Sequence, residues 1–329
     1  MRAAVLTAYN SPLRIHELRD PSYGSGEVLI RVEASAVNPL DTKIRRGEGA
    51  HAKMAPPAVL GIDMAGVVEA VGADVHQFRA GDEVFGMTGG IGGVPGSLAE
   101  LVAVDPQLIA HKPAALSMEE AAALPLGFIT SWEGLIDRAG VNPGQQVLIH
   151  GGAGGVGFLA VQLALARGAR VFATGGNPAS LEAIRKAGAT AIDYTDHTVD
   201  QYVGEYTGGE GFDIVVDNVG GATLDASFTA VKRYTGHVVS ALGWGAHSLA
   251  PLSFRGATYS GVFTLLPLLT GGGRDHHGHI LAQASALADS GQLMPRLHSA
   301  AFPLGEVNDA YTLVETGTST GKVIVLPNL

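Results

Sequence analysis

Cysteine is absent from the 329 residues. That excludes disulfides, thiolate nucleophiles and every zinc site built on Cys, a four-Cys structural site included. Positive charge is scarce: 21 Lys and Arg stand against 31 Asp and Glu, a formal net charge of −10. An acidic surface repels phosphate backbones and anionic lipid heads, so neither nucleic acid nor a membrane is an expected partner. Long apolar runs are missing as well. The stretch 262–269 is broken by Pro267, and no uncharged run reaches the length of a membrane span. The opening residues 1–6 are too short for the apolar region of a signal peptide, and Asn10-Ser11-Pro12 breaks any extension of them, which makes the cytoplasm the expected location. Internal repeats and low-complexity segments are also lacking.

Glycine, by contrast, is abundant, 46 residues of it, with no Gly-X-Y period and so no collagen. Tight turns and close backbone contacts are the remaining reading. A composition 46% hydrophobic and 16% charged gives a folded, well-buried core. At about 100–200 residues per domain the length suggests two domains.

The first part reads as β-rich. Short apolar or alternating runs at 1–7, 27–36, 66–71, 83–87 and 98–104 are separated by Gly, Pro and Asp turns, as in a small antiparallel barrel or sandwich. Near Ser117, followed by Met118-Glu119-Glu120, the pattern changes to a capped, Ala-rich helix. From Gln146 strands alternate with helices: strands at 147–150, 170–174, 191–194, 212–217, 237–242 and 258–263, helices at 156–167, 179–187, 199–206 and 223–231. Alternating β and α elements predict a doubly wound parallel sheet of α/β class. The tail is mixed, with helices at 279–290 and 304–317 and a terminal strand at 322–326 that is able to pair back with the first part.

Gly152-Ala153-Gly154-Gly155-Val156-Gly157 fits G-x-G-x-x-G, follows the strand at 147–150 and opens a helix, the context a dinucleotide site requires. Gly152 permits a tight turn, Gly154 lets backbone approach a pyrophosphate, and Gly157 allows close helix–strand packing. Unsatisfied N–H groups of Gly155, Val156 and the helix start then face the phosphates. An NAD site places an acid about 20 residues past the glycines to hold the ribose hydroxyls. Here the segment 174–180 carries none before Glu182. Thr174, Asn177 and Ser180, with Tyr194 nearby, suit a 2′-phosphate instead, so NADPH is the expected cofactor and NADH the alternative. A plain helix cap at Asn177 accounts for the same residues.

The chain resembles the zinc-free quinone oxidoreductase branch, zeta-crystallin-like, of the medium-chain dehydrogenase/reductases. The resemblance spans essentially the whole sequence. Its markers are the segment 36–43 (Ala-Val-Asn-Pro-Leu-Asp-Thr-Lys), Gly61-Ile62-Asp63-Met64-Ala65-Gly66, Ala80-Gly81-Asp82-Glu83-Val84, the segment 150–157, Asp217-Asn218-Val219-Gly220-Gly221 and Gly321-Lys322-Val323. It implies a Rossmann domain at 123–264 inserted into a GroES-like catalytic domain formed by 1–122 and 265–329. It also implies a homodimer, with 258–263 as the candidate edge strand. The zinc-dependent cousins bind a catalytic metal through Cys and His; here Asn38 and Ile62 occupy those positions, so no metal site is expected. Asp63 stands where the cousins carry Glu, and a hydrogen-bonded turn residue is its expected role. His276, His277 and His279 suggest ligation or a solvated helix start; adjacent His residues without other ligands favour the second.

Without zinc, hydrogen-bond donors must stabilise the oxygen that gains charge on hydride transfer. Donors suffice for a quinone or an α,β-unsaturated carbonyl, whose reduced forms are delocalised anions. By resemblance the segment 38–43 lines the substrate cleft, which makes Asn38 and Lys43 candidate donors and Asp41 a candidate orienting residue. Thr130, Asn218, Leu242, Gly243, Phe263 and Lys322 resemble positions near the cofactor. Two other functions fit the same fold: an enoyl-thioester reductase, disfavoured because 44–51 lacks the Tyr such relatives often carry, and a non-enzymatic, crystallin-like NADPH-binding protein.

Overall fold

The structure is a computed structural model and describes residues 1–329. The chain forms two compact units, one of Met1–Leu126 with Leu265–Leu329 and one of Gly127–Thr264.

The first unit is built on a seven-stranded sheet around Val28–Val37. Val28, Ile30 and Val32 are buried while Arg31 and Glu33 turn outward, the period of two that fixes which face meets the core. This strand pairs antiparallel with Asp63–Val71 on one side. On the other it meets Leu101–Val104 at its start and the terminal strand Lys322–Leu326 at its end. The terminal strand thus returns to the sheet of the first segment. Glu83–Met87 and Ile109–His111 extend the sheet beyond Asp63–Val71, and Leu297–Pro303 lies parallel to Lys322–Leu326. Arg2–Leu6 sits between Arg14–Glu17 and Ala58–Val59 in a separate three-stranded sheet.

The second unit is a six-stranded parallel sheet in the order Thr190–Asp193, Arg170–Gly175, Gln146–His150, Ile214–Asp217, His237–Ser240, Thr258–Gly261. Counted along the unit this is 3-2-1-4-5-6, the doubly wound order. Its strands read as nearly continuous apolar runs because helices cover both faces. Leu148, Phe172, Val215, Phe228 and Val238 share one core cluster. The order reverses between Gln146–His150 and Ile214–Asp217, and at the carboxyl ends of these two strands lie the Gly-rich turn and Asn218.

Several elements differ from the sequence expectation. The segment after Asn38, for which the sequence pattern named no element, is a helix, Pro39–Arg45, with Pro at its first position, where a missing N–H costs nothing. The tail helix begins at Arg274 rather than 279 and runs to Asp289. Gly278 inside it lies against the carbonyl of Gln107, where a Cβ would come within 2.7 Å, so the glycine that weakens the periodic signal permits the packing. The sixth strand stops at Gly261, leaving Phe263 beyond it. Arg14–Glu17, Ile109–His111, Ala250–Arg255 and Leu266–Thr270 are too short to carry a periodic signature.

Candidate functional site

Strand register gathers a polar group in the first unit. Val323 pairs with Val37 in an antiparallel ladder, so Lys322 lies across from Asn38. Ala36 pairs with Asp63 on the opposite side. The Asn38 amide Nδ2 donates to Asp63 Oδ2 at 3.0 Å and, more weakly, to the Ala36 carbonyl at 3.5 Å. Its Oδ1 accepts a short hydrogen bond from the Lys322 ammonium, which also lies 3.4 Å from Asp63 Oδ2. The other Asp63 oxygen accepts the Leu126 N–H at 2.9 Å. Asp63 is fully buried and Asn38 nearly so, while the Lys322 side chain keeps 11% of its surface exposed. The turn role expected of Asp63 is therefore replaced by a larger one: it is the hub of this group.

Asp41 completes the cluster from the helix. Its Oδ2 accepts the Asn38 backbone N–H at 2.8 Å and so closes the helix start. Its Oδ1 and the hydroxyl of Tyr311 are both buried without a hydrogen-bond partner. Burial pushes the Asp41 pKa up to about 7; the Asn38 N–H and the Lys322 charge pull against this, and the Asp63 charge adds to it. Burial likewise raises Asp63, offset chiefly by Lys322 and then by the Asn38 amide. The Tyr311 phenol is raised by burial and by the neighbouring Asp41. Tyr311 carries no motif of its own, and only packing reveals its part; Asp63 stands in a marker segment, but only packing shows which partners it holds.

Lys43 stands apart. Two residues beyond Asp41 it points about 200° around the helix, and no hydrogen bond or ion pair ties it to Asn38, Asp63 or Lys322. Lys322, expected near the cofactor, is the cation that joins them. Ile62 is fully buried apolar core beside Asp63. His277 turns inward while the His276 and His279 rings stack at 6.4 Å, so the three do not converge. No three His, Asp or Glu side chains form a group able to hold a metal ion.

In the second unit the Gly-rich turn has distinct jobs for its glycines. The left-handed residue is Gly151, φ +70°, and not Gly152. Gly152 instead lies against Ala173, where a Cβ would come within 2.5 Å of that side chain. A Cβ on Gly157 would sit 2.1 Å from the Gly151 carbonyl oxygen, the close helix–strand approach its position requires. Gly154 and Gly155 are different: a Cβ on Gly154 meets one atom at 3.3 Å, and one on Gly155 meets nothing within 4 Å. Glycine there leaves open space over the start of the helix Gly155–Ala166. The first bond of that helix runs from Phe158 N to Gly154 O at 2.9 Å, so the N–H groups of Gly155, Val156 and Gly157 have no acceptor four residues back. Bare donors, a helix dipole and vacant space fit a pyrophosphate. Thr174 braces the turn: its hydroxyl accepts the Gly151 N–H at 3.1 Å and its carbonyl the Gly152 N–H at 3.0 Å.

Asn177 caps the helix Pro178–Lys186 by accepting the Ser180 N–H at 2.9 Å. The Tyr194 ring leans over Gly176, its hydroxyl 2.4 Å from where a Cβ would be. Asn177, Ser180 and Tyr194 thus surround one turn, with no carboxylate between 174 and 181. Asn218 reaches the His150 carbonyl at 3.3 Å across the two central strands. Asp217 holds the N–H groups of Val219 and Gly220 and the Ser240 hydroxyl, shaping the turn after Asn218. Leu242 donates its N–H to Ser240 Oγ at 3.0 Å, and Gly243 has no room for a Cβ beneath the Tyr259 hydroxyl. Thr130 lies 3.1 Å from the Thr264 hydroxyl, itself bonded to Glu133, and Phe263 packs edge-on to Trp244. These last contacts lie within the second unit.

Residues 24–114 match the family described as alcohol dehydrogenase GroES-like domain, and residues 187–325 that described as zinc-binding dehydrogenase. The chain is 36% identical over 314 residues to 2-methylene-furan-3-one reductase of Solanum lycopersicum, covering 93% of this chain and 73% of that one. It is 34% identical to a chloroplastic NADPH-dependent alkenal/one oxidoreductase of Arabidopsis thaliana, covering 93% and 74%. A solved alcohol dehydrogenase superfamily protein from Novosphingobium aromaticivorans is 53% identical with a TM-score of 0.97 over 99% of both chains. The quinone oxidoreductase of Coxiella burnetii is 29% identical with a TM-score of 0.84, also over 99% of both.

Proposed function

Because the chain belongs to the medium-chain dehydrogenase/reductase superfamily, in its zinc-free quinone oxidoreductase branch, we propose that it reduces α,β-unsaturated carbonyls or quinones with NADPH and without zinc. One observation carries the reading: the space over Gly155 at the helix start, beside the N–H groups of Gly155, Val156 and Gly157 that have no acceptor four residues back, which suits a dinucleotide phosphate. When bound, NADPH supplies the hydride. The backbone from Gly152 through Gly157, Ala153 included, holds the pyrophosphate, and Asn177, Ser180 and Tyr194 receive the 2′-phosphate. Thr174 acts by bracing the turn, and Asn218, Leu242, Gly243, Thr130 and Phe263 shape the remaining edge of the dinucleotide site.

Asn38, Asp41, Asp63 and Lys322 make the substrate end of the reading. Their donors are N–H groups, adequate for an oxygen whose charge spreads over a conjugated system, and weak for an unactivated ketone. Such a reaction takes place on a diffusible small molecule; no helix is long and apolar enough to cross a membrane. A homodimer is proposed through Thr258–Gly261, the end strand of the parallel sheet.

The test is a panel of enones, quinones and enoyl thioesters with NADPH and NADH, followed by cofactor absorbance. Turnover of enones or quinones with NADPH is expected. Turnover of thioesters alone would make it an enoyl-thioester reductase, and tight NADPH binding with no turnover would leave a cofactor-binding protein.

A further inference from the structure

We infer that Lys322 is the catalytic cation of this enzyme, donating to the carbonyl oxygen of the substrate, and that Asn38 and Asp63 are the residues that position it. The inference rests on the enone and quinone reductase reading above.

Donor accounting leads to it. An ammonium has three N–H donors. One goes to Asn38 Oδ1 and a second faces Asp63 Oδ2 at 3.4 Å. The third has no acceptor in the protein, and the side chain is the one member of the group with appreciable exposed surface, 11% against 0% for Asp63. The other members have nothing to offer. Both Asn38 amide hydrogens are directed inward, to Asp63 and to the Ala36 carbonyl. Asp63 accepts from three groups, and Asp41 spends its bonded oxygen on the Asn38 N–H. The donor role expected of Asn38 thus passes to Lys322, and Asn38 serves as the bracket between ammonium and carboxylate.

Electrostatics keeps that ammonium in place. A buried carboxylate left without its cation is strongly unfavourable, so Asp63 holds Lys322 and does not release it to solvent. The fixed ammonium acts on charge that develops only as the substrate is reduced, the condition under which a donor accelerates a reaction. For an enone, hydride adds to the β-carbon and the electron pair moves to the carbonyl oxygen. Lys322 stabilises the resulting enolate by hydrogen bonding and keeps its own proton. Water supplies the proton that the α-carbon gains, so one enone, one hydride and one proton give one saturated ketone.

The experiment compares wild type with Lys322→Met, Lys322→Ala and Asp63→Asn, each checked for NADPH affinity and melting temperature. Expected for Lys322→Met is a kcat about 10²-fold lower with an enone, at an NADPH Kd within about twofold of wild type. Methylammonium should restore part of the lost activity to Lys322→Ala. With NADP⁺-saturated protein, 4-nitrophenol should bind wild type as the phenolate, seen by its visible absorbance, and lose that preference in Lys322→Met. In Asp63→Asn the preference for the phenolate should weaken as well, since the carboxylate that holds the ammonium in place is gone; a residue that only braced the sheet would leave phenolate binding unchanged. A Lys322→Met variant that keeps more than half of wild-type kcat overturns the inference and leaves the functional reading intact. So does a loss of activity that tracks loss of NADPH binding, or a loss with neither amine rescue nor a change in phenolate binding. A wild type that reduces neither enone nor quinone overturns the functional reading and this inference together.

Discussion

Lys322 and Asp63 face each other at 3.4 Å although 259 positions separate them in the chain. The terminal strand and Asp63–Val71 flank opposite edges of Val28–Val37, and both carry their charged residue to its carboxyl end, where Asn38 begins a helix. Asn38 bonds to both residues and is the link between them. Asn38→Ala should therefore lower kcat by about tenfold or more with the NADPH Kd nearly unchanged. Lys43→Ala, removing a side chain outside the group, should keep kcat within about twofold. Steady-state kinetics on both variants, with cofactor titration by fluorescence, checks the contrast; equal losses would mean that the helix face bearing Lys43 also meets the substrate.

The glycines of the second unit should separate binding from folding. Gly154→Val adds a Cβ that meets a single atom, at 3.3 Å, and should lower the melting temperature only slightly while raising the NADPH Kd at least tenfold. Gly157→Ala places a methyl 2.1 Å from a backbone carbonyl oxygen, which backbone must yield to accommodate. Its cost should be about 1–3 kcal/mol of stability, the usual range for overpacking. Thermal or urea unfolding alongside NADPH titration distinguishes the two; a stable Gly157→Ala protein would contradict the packing.

NADPH should bind more tightly than NADH, and Asn177 offers a clean test. Asp caps a helix as well as Asn does, so Asn177→Asp keeps the bond to the Ser180 N–H while adding a negative charge beside the turn. The NADPH Kd should rise about tenfold, equivalent to about 1.4 kcal/mol, with NADH affinity and melting temperature little changed. Equal dissociation constants for the two cofactors in the unmodified protein would overturn the expected preference.

Asp41 should leave a mark on stability versus pH. Its pKa rises from 3.8 to about 7 on folding, mainly through burial. Between those values the folded chain binds the proton and the unfolded chain does not, so stability falls as pH rises from about 4 to about 7 and then levels. At about 1.4 kcal/mol per unit the total is a few kcal/mol at most. Asp41→Asn, neutral throughout, should show a smaller drop in unfolding free energy between pH 5 and pH 8. The same drop in the variant would assign the slope to other groups, Asp63 first, whose pKa burial also raises.

Chelation should leave turnover intact, and elemental analysis should find no stoichiometric zinc. Ile62 offers no ligand atom, and both polar atoms of the Asn38 amide are engaged by Asp63 and Lys322. One zinc per chain together with inactivation by chelator would require a different reading of this group.

The sequence by itself determined the alternation of strand and helix from Gln146 onward, because short apolar runs alternate there with longer helical stretches and glycine stands at many of the turns between them. It determined the dinucleotide turn, since glycine at fixed offsets between an apolar strand and a helix has few other uses. It determined the lack of zinc-ligating side chains at positions 38 and 62, which is a matter of residue identity alone. Tertiary structure decided the rest. It chose Gly151 over Gly152 for the left-handed turn, a choice between adjacent glycines that composition cannot make. It joined Lys322 to Asn38 and Asp63 and left Lys43 outside, because strand register, not proximity in sequence, sets which side chains meet. It also buried Asp41 against Tyr311. A carboxyl group's proton affinity depends on the water removed around it, and that removal exists only once the chain has packed.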